Sequence, residues 1–136
     1  MRVVIQRVSG SSVLIDHQER RSIGQGLSIL LGITEDDSQE DIDWLVRKIT
    51  GLRIFNDENG VMNVSVQDIS GSFLVISQFT LYASTKKGNR PSYMRSAKPE
   101  VSEPLYNQFV KTLQEKSQLP VKTGKFGADM QVEIHN

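Results

Sequence analysis

The hydrophobic period changes once along this chain, and that change decides what it can fold into. Over residues 2–8, Val3, Ile5 and Arg7 oppose Val4, Gln6 and Val8, the period of a pleated strand. Ser9-Gly10 makes a turn, and Ser12 to Ile15 resumes the pattern. Asp16-His17-Gln18-Glu19 forms a polar hairpin tip, and Arg20 to Ile23 returns. Gly24 and Gly26 punctuate. Leu27 to Ile33 then reads as a central strand covered on both faces. The expected beginning is a meander of antiparallel strands.

After residue 37 the spacing becomes three and four. Ser38 with Asp41 three residues later has the form of a capping box, and Ile42, Leu45, Ile49 and Leu52 follow on one helical face, with Gly51 near the end. Asn56 to Gly60 is a turn, and Phe73 to Leu81 is the next strong strand. A second helix is expected from Ser102, with Pro104 in its first turn and Leu105, Phe109, Val110 and Leu113 facing inward. Leu119 to Val121 and Met130 to Ile134 read as closing strands. Strands outnumber helices and do not alternate regularly with them. The expected class is α+β, with mainly antiparallel or barrel-like strands and two principal helices, in a single domain over 1–136.

At 136 residues, burial of roughly two thirds of the unfolded surface suffices for a core without a metal or a crosslink. The chain has no Cys, which excludes disulfides, thiol catalysis and Cys-based zinc sites. The first residues lack the apolar run of a signal peptide, and no segment reaches bilayer length, so the expectation is a soluble cytoplasmic protein. Charge balances at 16 acidic and 16 basic residues, which argues against a general nucleic-acid coat. It is nevertheless segregated. Glu35, Asp36, Asp37, Glu40, Asp41 and Asp43 crowd a helix start, where the macrodipole favours them. Their spacing is not that of a calcium loop. From Ile69 to Pro99 no Asp or Glu occurs, while Lys86, Lys87, Arg90, Arg95 and Lys98 do. Such a loop is either a solvated surface or a clamp for phosphates, with Tyr82 and Tyr93 placed to stack on unpaired bases or to pack in the core.

Next to that loop lies Ser77-Gln78-Phe79-Thr80-Leu81, a polar cluster directly after the apolar run Phe73-Leu74-Val75-Ile76. Polar side chains at a strand end, with backbone N–H groups where pairing lapses, can hold an ester carbonyl. Thr also suits half-buried strands, so a packing role stands beside the chemical one. Only two histidines exist, His17 at the hairpin tip and His135 near the end, and both read as solvated. No Gly-x-Ser-x-Gly elbow and no phosphate-binding Gly-Lys-[Ser/Thr] loop occurs. With no base near in sequence, Thr80 is a poor nucleophile, and catalysis through positioned water or a substrate hydroxyl has equal standing.

Four segments together resemble the D-aminoacyl-tRNA deacylase family: residues 77–81, Lys87-Gly88-Asn89-Arg90-Pro91-Ser92, Thr123 to Met130, and Met1 to Val8. The resemblance spans the whole chain. It implies a homodimer, with active sites at the subunit interface, that hydrolyses the ester joining a D-amino acid, or misattached glycine, to tRNA. D-aminoacyl-tRNA and glycyl-tRNA are the implied substrates, and no metal or organic cofactor is implied. Carried over by position, Ser77, Gln78, Phe79 and Thr80 line the pocket, and Phe126 and Met130 bound the terminal adenosine. Lys86, Lys87 and Arg90 hold the tRNA. Thr80 is the implied nucleophile in one version of the mechanism; in the other, the substrate's own 2′-hydroxyl is decisive.

The family closes with Asn-x-Gly-Pro-Val-Thr, a segment that reaches the partner's pocket to exclude L-amino acids. This chain stops at Asn136, where that motif begins, and none of its four prolines follows a glycine. Truncation is the expected reason. The 136-residue form is then expected to lose discrimination or activity relative to a form ending in Gly-Pro-Val-Thr. Two readings compete with an ester hydrolase: a non-catalytic RNA-binding module using the 86–98 loop, and an α+β interaction protein in which Thr80 merely packs.

Overall fold

The computed structural model describes residues 1–136. Its elements are β1 (Arg2–Val8), β2 (Gly10–Ile15), β3 (Glu19–Ile23), β4 (Gly26–Gly32), α1 (Gln39–Gly51), β5 (Phe55–Asn56), β6 (Met62–Val64) and β7 (Ser72–Ser77). A 3-10 turn (Phe79–Tyr82), α2 (Pro99–Ser117), β8 (Val121–Thr123) and β9 (Met130–His135) complete the chain. The α+β class with two principal helices holds. The barrel-like alternative does not, because the strands form open sheets in the orders β1-β4-β7-β8, β3-β2-β9 and β5-β6.

Pairing also departs from the expected meander. β1 lies antiparallel to β4, with Ile5 opposite Ile29, and β2 lies between β3 and β9 in the other sheet. The chain switches sheets at Ser9, whose N–H already bonds His135 O at 2.8 Å. β4–β7 and β7–β8 are parallel, so the main sheet is mixed rather than mainly antiparallel. The physical reason is connection length: α1 with the β5–β6 hairpin separates β4 from β7, and α2 separates β7 from β8. Crossovers of that size are what parallel neighbours need.

The main sheet is the middle of three layers. Leu27, Ile29, Leu31, Phe73 and Val75 face the helices and meet Ile42, Val46, Ile49, Phe109 and Leu113. Leu74 and Ile76 face the second sheet and meet Val13 and Ile15. The strand period of two therefore sends alternate residues of β7 into two different cores. At the start of α1, the Asp41 carboxylate accepts the Ser38 N–H at 2.8 Å, as the capping box predicts. That bond holds the Asp41 carboxyl below the ordinary aspartate range.

Three boundaries move. α2 starts at Pro99 rather than Ser102, since a proline at the first helical position has no donor to lose. It ends where Gln118 turns left-handed, with φ of 57°, so β8 begins at Val121 instead of Leu119. The Phe73–Leu81 strand stops at Ser77, because the chain there curls into the 3-10 turn.

Candidate active site

β4, β7 and β8 run parallel, so their carboxyl ends lie on one side of the sheet, the side where parallel strands leave room for a ligand. The end of β7 is held by one further ladder bond, Gln78 N–H to Leu31 O at 2.8 Å. The chain then tightens: Leu81 N–H closes on Gln78 O at 3.3 Å and Ala83 N–H on Thr80 O at 3.0 Å. Gly32 makes room for this. A Cβ on Gly32 would stand 3.0 Å from Leu81 Cβ, 3.1 Å from Gln78 O and 3.2 Å from the Tyr82 ring.

The first amides of a helical turn have no partner within the turn. Here the N–H groups of Phe79 and Thr80 also find no acceptor elsewhere in the protein. Two adjacent donors on a fixed turn are the arrangement that stabilises a developing oxyanion. Their carbonyl side is fastened instead. Ser96 Oγ donates to Phe79 O at 2.7 Å, and Arg2 Nη1 donates to Leu81 O at 2.9 Å while its guanidinium lies 4.4 Å from the Tyr82 ring centre. Sequence reasoning missed both Arg2 and Ser96. They act on the turn from 79 and 17 residues away, and nothing local marks them.

Thr80 Oγ1 accepts a 2.5 Å bond from Gln78 Nε2, which fixes the hydroxyl without removing its proton. No histidine or carboxylate hydrogen-bonds either side chain. His17 instead lies 3.0 Å from Asp129, and His135 ends β9 opposite Gly10 of β2. Tyr82 is no base: burial, then the charge of Asp37, raises its phenol above the ordinary tyrosine value. Ser77 and Gln78 are half-buried at the strand end, whereas Phe79 turns its ring outward, 57% exposed. That ring meets Tyr93 edge-on at 5.0 Å.

Lys86, Lys87 and Arg90 sit on a loop closed by reciprocal 2.9 Å bonds between Ser84 and Ser92. All three are exposed, and none forms an ion pair. The acidic crowd is engaged elsewhere: Glu35 accepts the Lys98 N–H, Asp37 accepts the Thr34 N–H and pairs with the Met1 amine, and Asp41 caps α1.

Phe126 and Met130 flank the same end of the sheet on opposite faces. Gly124 N–H bonds Val75 O at 3.1 Å and joins their segment to β7. Phe126 packs on Tyr106, with centroids 6.0 Å apart, while Met130 joins the core between the sheets. Arg21 secures the segment from behind, donating to Thr123 O at 2.9 Å and Gly124 O at 3.2 Å. A cleft of about 300 Å³ lined by Arg7, Gln25, Phe55, Asn56 and Asn136 lies at the other end of β1 and β4 and contains none of the predicted residues.

Two unpaired amides at a parallel strand end, beside a cationic loop without ion pairs, form an arrangement able to receive an ester carbonyl of a polyanionic molecule. A family profile described as D-Tyr-tRNA(Tyr) deacylase matches residues 4–136, and the chain belongs to this family. It is 63% identical to a D-aminoacyl-tRNA deacylase of Bacteroides fragilis (strain YCH46), covering 100% of this chain and 91% of that one. Among solved structures it resembles a c-Myc DNA unwinding element binding protein, with TM-score 0.92 and 41% identity over 100% of this chain and 92% of the other. A second, described as a probable eukaryotic D-amino acid tRNA deacylase, shares the fold at TM-score 0.85 and 15% identity, covering 98% and 92%.

Proposed function

We propose that this protein hydrolyses the ester between a D-amino acid and the terminal ribose of tRNA, releasing both as a proofreading step in translation. The observation that carries the reading is the pair of unpaired N–H groups, Phe79 and Thr80, inside the segment Ser77 to Leu81. In this reading they receive the ester carbonyl oxygen and hold it as it gains negative charge. Water attacks the carbonyl carbon, the bond to the ribose oxygen breaks, and the proton from water passes to that oxygen. Gln78 orients the Thr80 hydroxyl toward the site as a hydrogen-bonding group. With no base beside Thr80, the substrate's 2′-hydroxyl and the positioned water carry the proton transfers. Phe126 and Met130 bound the terminal adenosine, and Lys86, Lys87 and Arg90 hold the phosphates that precede it.

Glycyl-tRNA is a second substrate in the same reading, since a pocket that holds backbone atoms accepts the smallest side chain. No helix is long and apolar enough to cross a membrane, and the substrate assigns the protein to the cytoplasm. The assembly is a homodimer with its sites at the interface, for which Val4 on edge strand β1 offers exposed apolar surface.

The test is ester loss from D-tyrosyl-tRNA. Hydrolysis well above the buffer rate is expected, with Thr80→Ala keeping activity within about tenfold of the parent. No acceleration over buffer by a chain carrying the Gly-Pro-Val-Thr tail ends the enzyme reading in favour of a non-catalytic RNA-binding module. A loss of several orders of magnitude in Thr80→Ala restores the threonine nucleophile. Sedimentation at micromolar concentration tests the dimer.

A further inference from the structure

Phe79 and Tyr93 are an unusual use of two aromatic rings. Apolar burial would ordinarily draw both into a core, yet Phe79 is 57% exposed and Tyr93 39% exposed, and they meet edge-on at 5.0 Å just past the end of β7. The pair is held in place on both sides. Phe79 begins the 3-10 turn and its carbonyl accepts the 2.7 Å bond from Ser96, while Tyr93 directly follows the Ser84–Ser92 bridge that closes the basic loop. An exposed aromatic surface fixed at its backbone, rather than carried on a mobile tip, is suited to receive a flat partner.

Its surroundings say which partner. The chain between Ile69 and Pro99 contains no acid, and the loop ending at the bridge carries Lys86, Lys87 and Arg90, none of them ion-paired. Cations that track a phosphate backbone beside aromatic faces that stack bases are the two components of single-stranded nucleic-acid recognition. A protein partner would need acidic side chains for the loop and apolar ones for the rings. A nucleotide supplies a phosphate and a π-face in one unit.

We propose that the Phe79–Tyr93 pair is the stacking surface for an unpaired base immediately preceding the acylated terminal nucleotide. The enzyme therefore binds a single-stranded 3′ end rather than an isolated terminal nucleoside. This rests on the deacylase reading above, and it fixes a distance: Phe79 carries both the outward ring and one of the two free N–H groups. The stacked base thus lies against the same residue that supplies one of the two cradle N–H groups. Tyr93 is a positioning residue here, with no contact to the reacting atoms.

Two readouts test the surface. The first compares D-tyrosyl-tRNA with D-tyrosyl-adenosine, the acylated nucleoside alone. Loss of one base stack in Tyr93→Leu should raise KM for the tRNA roughly five- to hundredfold, with kcat changing much less. The ratio of kcat/KM for tRNA over nucleoside falls by the same factor, and Tyr93→Phe restores it. The second uses a short single-stranded oligonucleotide with 2-aminopurine as its penultimate base. Its fluorescence should be quenched by the parent and by Tyr93→Phe but not by Tyr93→Leu.

Equal losses on both substrates would assign Tyr93 to the ester pocket or to folding and overturn the proposal. So would an unchanged ratio, or a Tyr93→Leu variant that sediments differently, which would mark the pair as a contact between copies. The quench requires no chemistry. A parent carrying the Gly-Pro-Val-Thr tail that hydrolyses neither substrate refutes the deacylase reading, while the fluorescence still decides the stack.

Discussion

Replacing Gly32 by alanine adds one methyl group on β4 against the 3-10 turn, and it should slow hydrolysis. The new Cβ would lie 3.0 Å from Leu81 Cβ, 3.1 Å from Gln78 O and 3.2 Å from the Tyr82 ring. Two of these neighbours belong to the 3-10 turn and the third is the carbonyl on which it closes, so no single side chain can swing away to relieve all three. The turn must retreat from β4 by a few tenths of an ångström. Overpacking of this kind costs about 1–2 kcal/mol, since the turn lies at the surface and yields in one direction. For a chain of this size that is a fall in Tm of roughly 3–10 °C. The same movement carries the N–H groups of Phe79 and Thr80 off their positions. Removing one oxyanion donor costs roughly 10²–10³ in kcat, and a displacement near 1 Å costs about 10². A shift several times smaller should therefore cost about three- to thirtyfold in kcat, with KM for tRNA little altered because the basic loop stays in place. Gly51→Ala is the control. Its Cβ meets nothing within 4 Å, and it should leave kcat alone while stabilising the end of α1 by no more than about 0.5 kcal/mol. Single-turnover deacylation and thermal melts of the two variants supply the numbers. A Gly32→Ala protein with parental Tm and kcat within twofold refutes the claim that packing against β4 sets the amides.

Three further outcomes follow from the charges. Lys86→Ala with Lys87→Ala should weaken tRNA binding and flatten the dependence of log Kd on log salt by about 1.5 units, which filter binding over a salt series measures. An unchanged slope makes the loop a solvated surface. Because no histidine or carboxylate bonds Thr80, log kcat should rise with pH without an inflection between roughly pH 6 and 8; a plateau there reveals a protein base. The Asp41 carboxyl is lowered from 3.8 by its bond to the Ser38 N–H, so its cap is fully formed above about pH 4 and is lost as pH falls through the lowered folded value. Asp41 is half-buried but largely solvated, and Asp41→Asn should cost only about 0.5 kcal/mol at neutral pH, with the two melting curves converging as pH falls through that lowered value.

What the sequence made legible was whatever is decided within a few residues. The cap at Ser38 and the apolar face of Ile42, Leu45 and Ile49 were readable because a helix satisfies its own backbone. The partners of β1 were not readable, because alternation says that a strand has a buried face and not which strand lies beside it. The site fails in the same way for a more specific reason. Phe79, Thr80, Leu81 and Tyr82 are residues that strands favour, and they follow a strand without a break, so local preference extends β7 through them. What overrides that preference is a set of distant contacts: Gly32 leaves the space, Ser96 holds one carbonyl and Arg2 another. Had the strand continued to Leu81, paired as a ladder strand, the N–H groups of Phe79 and Thr80 would have had acceptors in it, and no donors would remain for a substrate. The misread element therefore contains Phe79 and Thr80, the two residues whose N–H groups the candidate site offers. Local preference and tertiary contacts disagree at the place where the structure leaves two backbone donors unpaired.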